Sequence, residues 1–357
     1  MVERFSDMVG ISQSKQLHER LFPYRGPWHV PWVIQRYSRS AMCALTPKRV
    51  FNAVTALTEM KVGVIRVRSR PFVLRIEPCN VCNLRCPLCA CGINTDPRPK
   101  GFMTLEDYRR ILEENKQTAI LVRLDGMGEP TLHPQLFEMI RLAKSYDMSV
   151  TIHSNFNTSM CENPTEFLES GLDRLVVDID GATQETYERY RVGGNLELVV
   201  SNLRRLIEQR DRQKMKRPIV EVQFIYFNYN KDEIPLMHLL TKQWGVDKFE
   251  VSAPEPSVRI SRIDPRKPRR CFWLWSVLTV GWDLGYRSCT NAWSPPWPRL
   301  SLREVPSAEF WNHELMLEAR RYNVDKSSSI IANDQGCKCN RCPEMLVSPL
   351  NGPYFCE

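Results

Sequence analysis

The N-terminus MVERFSDMVGISQ lacks the apolar core of a signal peptide, and no apolar run in the chain is long enough to cross a membrane. The longest run, CFWLWSVLTVGW, ends after twelve residues between Arg270 and Asp283. Without a secretory signal, the thirteen cysteines are expected as reduced thiols rather than as a disulfide framework. Internal repeats are also lacking, which argues against a repeat array. These absences predict a cytoplasmic protein.

The composition is that of an ordinary globular protein, with 43% apolar and 25% charged residues. The net charge of +8 is a mild bias for 357 residues and does not by itself predict a nucleic-acid partner. The length allows two domains, or one large barrel with extensions.

Strand-like and helix-like segments alternate between residues 71 and 253. Six segments rich in β-branched and aromatic residues are each followed by a helical pattern, and they lie at 72–78, 119–126, 148–154, 174–181, 219–227 and 248–252. This order predicts an α/β fold, a partial (β/α)6 TIM-like barrel with right-handed crossovers. In such a barrel the loops after the strands carry the chemistry.

The two flanking regions differ from the barrel in composition. Residues 1–70 are basic and aromatic and are predicted to form a helical extension, with apolar residues at helical spacing at Val50, Phe51, Val54 and Leu57. Residues 254–357 begin with a linker-like segment, PEPSVRISRIDPRKPRR, and are rich in Pro, Trp and Cys. The sequence therefore predicts three regions, 1–70, 71–253 and 254–357.

Five cysteines lie within CNVCNLRCPLCAC at residues 79–91, directly after the first predicted strand. The two CxxC pairs are too close together for a zinc ribbon, and the spacing is not that of a bacterial ferredoxin. The regular triplet that remains is Cys82, Cys86 and Cys89. A zinc site or a set of buried thiols is the alternative, and Cys79 and Cys91 are expected to be buried thiols.

The segment CNLRCPLC resembles the CxxxCxxC signature of the radical S-adenosylmethionine (radical SAM) superfamily, whose fold is a six-unit partial barrel. The resemblance implies that Cys82, Cys86 and Cys89 bind three irons of a [4Fe–4S] cluster and that S-adenosylmethionine binds the fourth. One electron, from a reductant such as flavodoxin or ferredoxin, then cleaves S-adenosylmethionine to a 5′-deoxyadenosyl radical, which abstracts a substrate hydrogen. The cofactors supply this chemistry, and the protein orients and shields them.

Further cofactor-binding residues follow from the same resemblance. GMGEP resembles the family's GGE motif at the end of the second strand, and HSNFN ends the third. A strand-end aspartate and the residue before the third cysteine complete the predicted set: Gly126, Met127, Gly128, Glu129, Ser154, Asn155, Asp180 and Leu88. Each has a structural alternative, a tight turn for the glycines and a helix cap for Asp180.

A second cysteine group resembles the twitch domain, a shortened relative of the SPASM extension. The matching residues are Cys271, Cys289, Cys339 and Cys342, and WDLGYRSC resembles the hairpin of that domain. The resemblance implies a second, auxiliary [4Fe–4S] cluster with four protein ligands. Cys337 could replace Cys339, and a structural zinc site is the alternative.

The cysteine layout is most similar to that of a twitch-type alcohol dehydrogenase. It implies oxidation of a carbinol in a small molecule, such as a sugar, aminocyclitol or nucleoside-like intermediate, with the auxiliary cluster as electron acceptor. Peptide maturation is an alternative. Modification of a lipid is another, because Trp28, Trp32, Tyr37 and Phe51 among basic residues could contact a membrane surface. A zinc-stapled nucleic-acid-binding protein is the remote alternative.

Iron analysis after anaerobic reconstitution tests the cysteine assignment. The wild type is expected to hold about eight irons, and the triple variant Cys82→Ala/Cys86→Ala/Cys89→Ala about four. An iron content that falls from about four to none would argue against the auxiliary cluster. Zinc in place of iron would argue against both clusters.

Overall fold

The computed structural model describes residues 44–252, 270–288 and 300–325. The strands form one eight-stranded sheet in the order β6-β5-β4-β3-β2-β1-β7-β8. Their bounds are Val73–Ile76 (β1), Leu121–Leu124 (β2), Ser149–Ser154 (β3), Arg174–Asp178 (β4), Ile219–Ile225 (β5), Lys248–Ser252 (β6), Val277–Val280 (β7) and Tyr286–Arg287 (β8). All neighbouring strands are parallel except β7 and β8. The predicted α/β fold with an incomplete parallel barrel is confirmed.

Helices connect the strands and also flank the barrel. Their bounds are Pro47–Val62 (α1), Leu105–Asn115 (α2), Leu136–Ser145 (α3), Pro164–Glu169 (α4), Gln184–Tyr190 (α5), Leu196–Arg212 (α6), Ile234–Gln243 (α7), Phe272–Ser276 (α8), Ser307–Phe310 (α9) and Glu314–Asp325 (α10). Side-chain caps set several starts; for example, Thr104 accepts a hydrogen bond from the Asp107 amide at 3.0 Å and begins α2. Among the described residues, none of these helices is both long and apolar enough to span a bilayer.

The two faces of the sheet differ in chemistry. Leu74 and Ile76 belong to the main apolar core that the sheet shares with the helices. Because successive strand residues point to opposite faces, Arg75 between them faces the concave side of the barrel. The same alternation places Arg123 and Asp178 on the concave side, since their neighbours Val122, Leu124 and Val177 lie in the core. The core is therefore between sheet and helices, and the barrel interior is polar.

After β6, a later segment of the chain adds the strand β7 to the other edge of the barrel sheet, next to β1. Strand β7 pairs in parallel with β1, with Val73 opposite Val277 and Ile76 opposite Val280. The apolar run 271–282 is thus a one-turn helix followed by a buried strand, which explains why it is apolar yet short. Residues 277–287 extend the barrel sheet, although they lie in the region that the sequence separates from it.

Helix α1 buries three polar residues beside Ala56 and Met60, and it exposes part of its apolar residues. Arg49 is buried and donates hydrogen bonds to the carbonyls of Ala44, Lys116, Tyr146 and Asp147 at 2.7–3.0 Å. These carbonyls lie near the start of the helix and just before β2 and β3, at the N-terminal end of the barrel.

Two further polar residues of α1 are buried, Asn52 and Glu59. Asn52 bonds the backbone of Arg70, and Glu59 accepts from the amide and hydroxyl of Ser69. Of the four predicted apolar positions, Val50, Phe51 and Val54 are exposed, whereas Leu57 packs against the core. Polar anchors, together with the apolar contacts of Ala56 and Met60, set the orientation of this helix.

Replacing Arg49 with Met is expected to lower the free energy of unfolding by about 2–4 kcal/mol, because buried carbonyls would lose their donor. Urea unfolding measures the change. Arg66→Met is the control, since Arg66 is exposed just after α1, and its effect is expected within about 0.5 kcal/mol. Equal effects of the two substitutions would contradict the anchoring role.

Candidate active site

The cysteine loop follows β1 at the C-terminal end of the barrel. Cys86 is buried with Leu84 and Tyr190 in a small apolar cluster, against which Cys82 and Cys89 also pack. Ile225 and Phe227, from the end of β5 and beyond, complete the cluster. The three thiols of the predicted triplet are thus collected at one place, between the loop and the carboxyl ends of β4 and β5.

The other two cysteines of the segment bond to backbone carbonyls. The thiol of Cys79 donates to the carbonyl of Glu129 at 3.3 Å, and that of Cys91 donates to the carbonyl of Asn80 at 3.3 Å. Both are buried. They take part in the packing of the loop, as the sequence predicts.

Burial raises the pKa of the Cys82 thiol to about 12 and that of Cys86 to about 11. In the free protein these thiols are therefore protonated at neutral pH, and ligation would require the charge of bound metal. Within the described residues, no three His, Cys, Asp or Glu side chains are placed to hold one metal ion. In a [4Fe–4S] cluster each thiolate binds a different iron, so the sulfurs do not converge on one point. Three thiols around a shared apolar cluster fit that group.

The GMGEP loop follows β2 and packs tightly on its neighbours. A Cβ atom on Gly126 would lie 2.5 Å from Cγ of Glu77, and one on Gly128 would lie 2.4 Å from the carbonyl oxygen of Cys79. The Met127 amide donates to the Glu77 carboxylate at 3.0 Å. In this structure, the close approach that these glycines permit is to β1 and the cysteine loop.

Glu129 is buried and accepts four hydrogen bonds. Its carboxylate binds the Ser154 hydroxyl at 2.7 Å, the Asn155 amide at 2.7 Å, and the amide and hydroxyl of Thr131 at 3.0 and 2.7 Å. Burial raises the pKa of Glu129 although these donors oppose the rise. Glu129 and Ser154 therefore join the ends of β2 and β3 to each other.

Asn155 extends this network toward the cluster site. Its side-chain amide lies 3.8 Å from the Cys82 sulfur and donates to the side chain of Asn83 at 2.9 Å. Asn155 is thus a direct neighbour of one predicted ligand. Leu88, before the third cysteine, is about half exposed, at 49%.

Asp180 lies beyond β4 and bonds only within the protein. Its carboxylate accepts from Nε of Arg191 and from the Ile225 amide, and its carbonyl accepts from Asn230 at 2.9 Å. These bonds tie the loops after β4 and β5 together. The side chain is fully buried, and its assignment as a cofactor-binding residue stays a prediction.

Asp178, two residues earlier, was not selected by sequence reasoning. It is the last residue of β4 and faces the concave side, and its carboxylate lies 3.8 Å from Nη2 of Arg191. Burial, together with the nearby carboxylates of Asp180, Glu129 and Asp125, raises its pKa to about 7, while Arg191 opposes the rise. The inward period-2 position in RLVVDID is the signal that could have found it.

Besides Asp178, the concave face of the barrel carries paired charges. Asp125 accepts hydrogen bonds from Arg75 and Arg123, and these two arginines hold its pKa below the usual range although burial opposes them. His153 lies beside Arg123 at 3.2 Å. Both arginines lie within 6 Å of the ring of Trp273, at 5.8 and 5.9 Å. The interior is suited to a polar ligand.

The described residues include only part of the predicted auxiliary site. Cys271 begins α8, at the N-terminal end of the barrel, and its amide donates to Asn323 at 3.1 Å. The predicted hairpin is present, because Val280 pairs with Tyr286 in antiparallel fashion. Cys289, Cys337, Cys339 and Cys342 lie outside the described residues.

The comparisons with known proteins agree with the fold and the cysteine loop. Residues 76–220 match the family model "Radical SAM superfamily". These matches support membership of the radical SAM superfamily. The family implies a [4Fe–4S] cluster and S-adenosylmethionine as cofactors, so these two of the three cofactor predictions are confirmed, and the auxiliary cluster stays a prediction. The matches do not show a twitch or SPASM domain, so this assignment stays a prediction.

Two curated relatives show how far the radical SAM likeness extends. An "AdoMet-dependent heme synthase" of Methanosarcina barkeri is 25% identical over 206 residues, 57% of each chain. A "Probable GTP 3',8-cyclase" of Methanococcus maripaludis is 30% identical over 202 residues, 55% of this chain and 63% of the relative. The chain thus spans less than two thirds of either relative.

Among solved structures, the SuiB enzyme of Streptococcus suis has a similar fold. With S-adenosylmethionine bound, SuiB gives a TM-score of 0.53 at 15% identity, over 82% of this chain and 73% of SuiB. With its precursor peptide SuiA, it gives a TM-score of 0.54 at 13% identity, over 89% and 82%. At this identity the likeness concerns the fold.

Replacing Asp178 with Asn is expected to raise the free energy of unfolding at pH 8 by about 1–4 kcal/mol. Above the folded pKa of about 7 the wild-type carboxylate is a partly buried anion, which lowers the stability of the folded protein. This loss of stability shrinks as pH falls toward 4, because the folded chain keeps the proton. Urea unfolding at pH 5, 6.5 and 8 measures the trend. Asp232→Asn, at an exposed position, is the control with no expected trend. A gain for Asp178→Asn that is independent of pH would contradict the assignment.

Proposed function

We propose that this radical SAM enzyme is an oxidoreductase that oxidises a carbinol in a polar small molecule, of the sugar, aminocyclitol or nucleoside-like class. The observation that carries the proposal is the concave face of the barrel. It presents charged and polar side chains up to Asp178, beside the loops that collect Cys82, Cys86 and Cys89.

A polar barrel interior favours a polar substrate over an acyl chain. Burying Asp125, Arg123 or His153 against hydrocarbon would remove water from these groups without replacing its hydrogen bonds. A polyhydroxylated substrate supplies donors and acceptors for them. Small-molecule substrates are therefore preferred to lipid chains at this site.

When bound, the cluster at Cys82, Cys86 and Cys89 and S-adenosylmethionine supply the 5′-deoxyadenosyl radical. Asp178 would accept a hydrogen bond from the substrate hydroxyl and take its proton as the carbon is oxidised. A pKa of about 7 is suited to this task, because a general base works best near the ambient pH. The Glu129 network would hold the surrounding loops in place during turnover.

Cys271 would be one of the residues that hold an auxiliary cluster, and such a cluster would supply an acceptor for the second electron. Cys271 lies at the N-terminal end of the barrel and the cysteine loop at the C-terminal end, so the barrel interior separates the two. A substrate bound in the barrel interior would lie between the cysteine loop, where hydrogen is abstracted, and Cys271, on the side of the electron acceptor. An external one-electron reductant, such as flavodoxin or ferredoxin, would supply the first cluster.

Peptide maturation is the second candidate. The fold is shared with SuiB, which was solved with its precursor peptide SuiA, and a polar interior could also hold a peptide backbone. This candidate predicts that a peptide, and not a polyol, stimulates cleavage of S-adenosylmethionine.

The test is anaerobic turnover of the reconstituted enzyme with polyols and aminocyclitols, peptides, or lipid extracts. Stimulated 5′-deoxyadenosine formation with a polyol, and a product lighter by two hydrogen atoms, are expected. Stimulation by peptides alone would favour the second candidate, and stimulation by lipid extract alone would overturn the preference for polar small molecules.

With the substrate so identified, Asp178→Asn is expected to lower kcat for product by about 10²–10⁴-fold, because the general base is lost. The iron content is expected to equal that of wild type, since Asp178 is not a cluster ligand. Asp232→Asn is the control and is expected to keep wild-type kcat. An unchanged kcat in Asp178→Asn would contradict the role as base.

A further inference from the structure

The outer surface of α1 is the largest concentration of exposed apolar side chains in the described residues. Of the ten large apolar residues found exposed there, five belong to residues 45–62: Leu45, Val50, Phe51, Val54 and Val62. Phe51 is 75% exposed. We call these five residues the α1 apolar face.

The orientation that exposes this face is set by the protein itself. Arg49, Asn52 and Glu59 are held on the opposite side of α1 by hydrogen bonds to backbone groups outside the helix or at its start. Turning the helix to bury Phe51 would break these bonds. The accepting carbonyls would then lose their hydrogen-bond donors. The apolar face is therefore a fixed feature of the fold.

The N-terminal part of the sequence, which includes α1, carries the positive charge of the chain. Residues 1–70 contain 12 of the 49 Lys and Arg but only 4 of the 41 Asp and Glu, so they carry +8, the whole net charge of the chain. On α1 the acidic residue, Glu59, is buried, whereas Lys48 and Lys61 are exposed. The remaining 287 residues are neutral overall. Helix α1 itself thus presents two exposed lysines, Lys48 and Lys61, and no exposed acid next to the α1 apolar face.

We propose that the α1 apolar face docks on an anionic lipid surface. A helix with apolar residues on one side, cations beside them and no exposed acid matches the chemistry of an interfacial helix. Each Lys or Arg near such a surface contributes about 1 kcal/mol, and Phe51 and Val54 would add apolar burial. A nucleic-acid surface would use the cations but leave the apolar face without a role.

The position of α1 leaves the active site clear of the lipid. Its buried side packs with Phe72, Val73, Ile120, Leu121 and Val277, at the N-terminal ends of the strands, together with α8. The cysteine loop and Asp178 lie at the C-terminal ends. Docking therefore concerns where the enzyme works, and it stands apart from the proposed reaction.

The test is sedimentation of the full-length reconstituted enzyme with vesicles of phosphatidylcholine alone or mixed with phosphatidylglycerol. Wild type is expected to bind the mixed vesicles, to bind phosphatidylcholine weakly, and to dissociate as salt increases. Phe51→Glu is expected to weaken binding at least about tenfold, and Lys61→Gln about fivefold. Uncoupled cleavage of S-adenosylmethionine by Phe51→Glu is expected to equal that of wild type.

Leu239→Glu is the matched control, because Leu239 is an apolar residue of α7 that is 42% exposed and lies outside the α1 apolar face. It introduces the same charge and is expected to bind as wild type does. Three results would overturn the proposal: no binding to mixed vesicles, equal weakening by Leu239→Glu, or wild-type binding by Phe51→Glu.

Light scattering and RNA-binding measurements test two other partners for the α1 apolar face, a second copy of the chain and a nucleic acid. A dimer that Phe51→Glu dissociates, without vesicle binding, would assign the face to a second copy of the chain. Salt-sensitive binding to RNA that Phe51→Glu does not change, without vesicle binding, would assign the charge to nucleic acid. Either result would overturn lipid docking.

Discussion

The carboxylate of Glu129 holds the candidate active site together. It joins the end of β2 to the end of β3 through Ser154 and the Asn155 amide. Its own backbone amide donates to the Val81 carbonyl at 2.8 Å, and its carbonyl accepts from the thiol of Cys79. One residue therefore fixes the cysteine loop against two strand ends. A buried carboxylate with four donors is stable in this position, whereas losing a donor would leave a buried charge partly uncompensated.

The barrel separates two kinds of surface. Its C-terminal end carries the thiols, the Glu129 network and Asp178, and its N-terminal end carries α1, α8 and the start of β7. The interior between them is lined with arginines and carboxylates in mutual contact. Such pairs are stable inside a protein when each charge has a partner.

The six barrel strands could be predicted because strand character is a local pattern, and the cysteine triplet is a local pattern too, whose role as cluster ligands stays a prediction. Segments rich in β-branched and aromatic residues predicted the six strands within a few residues of their bounds, and the spacing of Cys82, Cys86 and Cys89 carried the resemblance that implies a cluster loop. Local patterns could not decide which of Asp178 and Asp180 faces the barrel interior. Both are carboxylates near one strand end, and only packing shows that Asp180 bonds Arg191 and the Ile225 amide while Asp178 faces the barrel interior.

Two other features depend on contacts far apart in the chain. The apolar spacing of α1 predicted a helix, but the carbonyls of Lys116 and Tyr146 decide that Arg49 faces inward and Phe51 outward. The strand character of 277–280 becomes visible only through pairing with β1, some two hundred residues earlier. By itself the sequence determined the α/β barrel and the cluster loop, because periodicity and ligand spacing act between near neighbours. The tertiary structure decided which charges face the interior and which apolar surface stays exposed, because burial and hydrogen bonding depend on partners brought together by the fold.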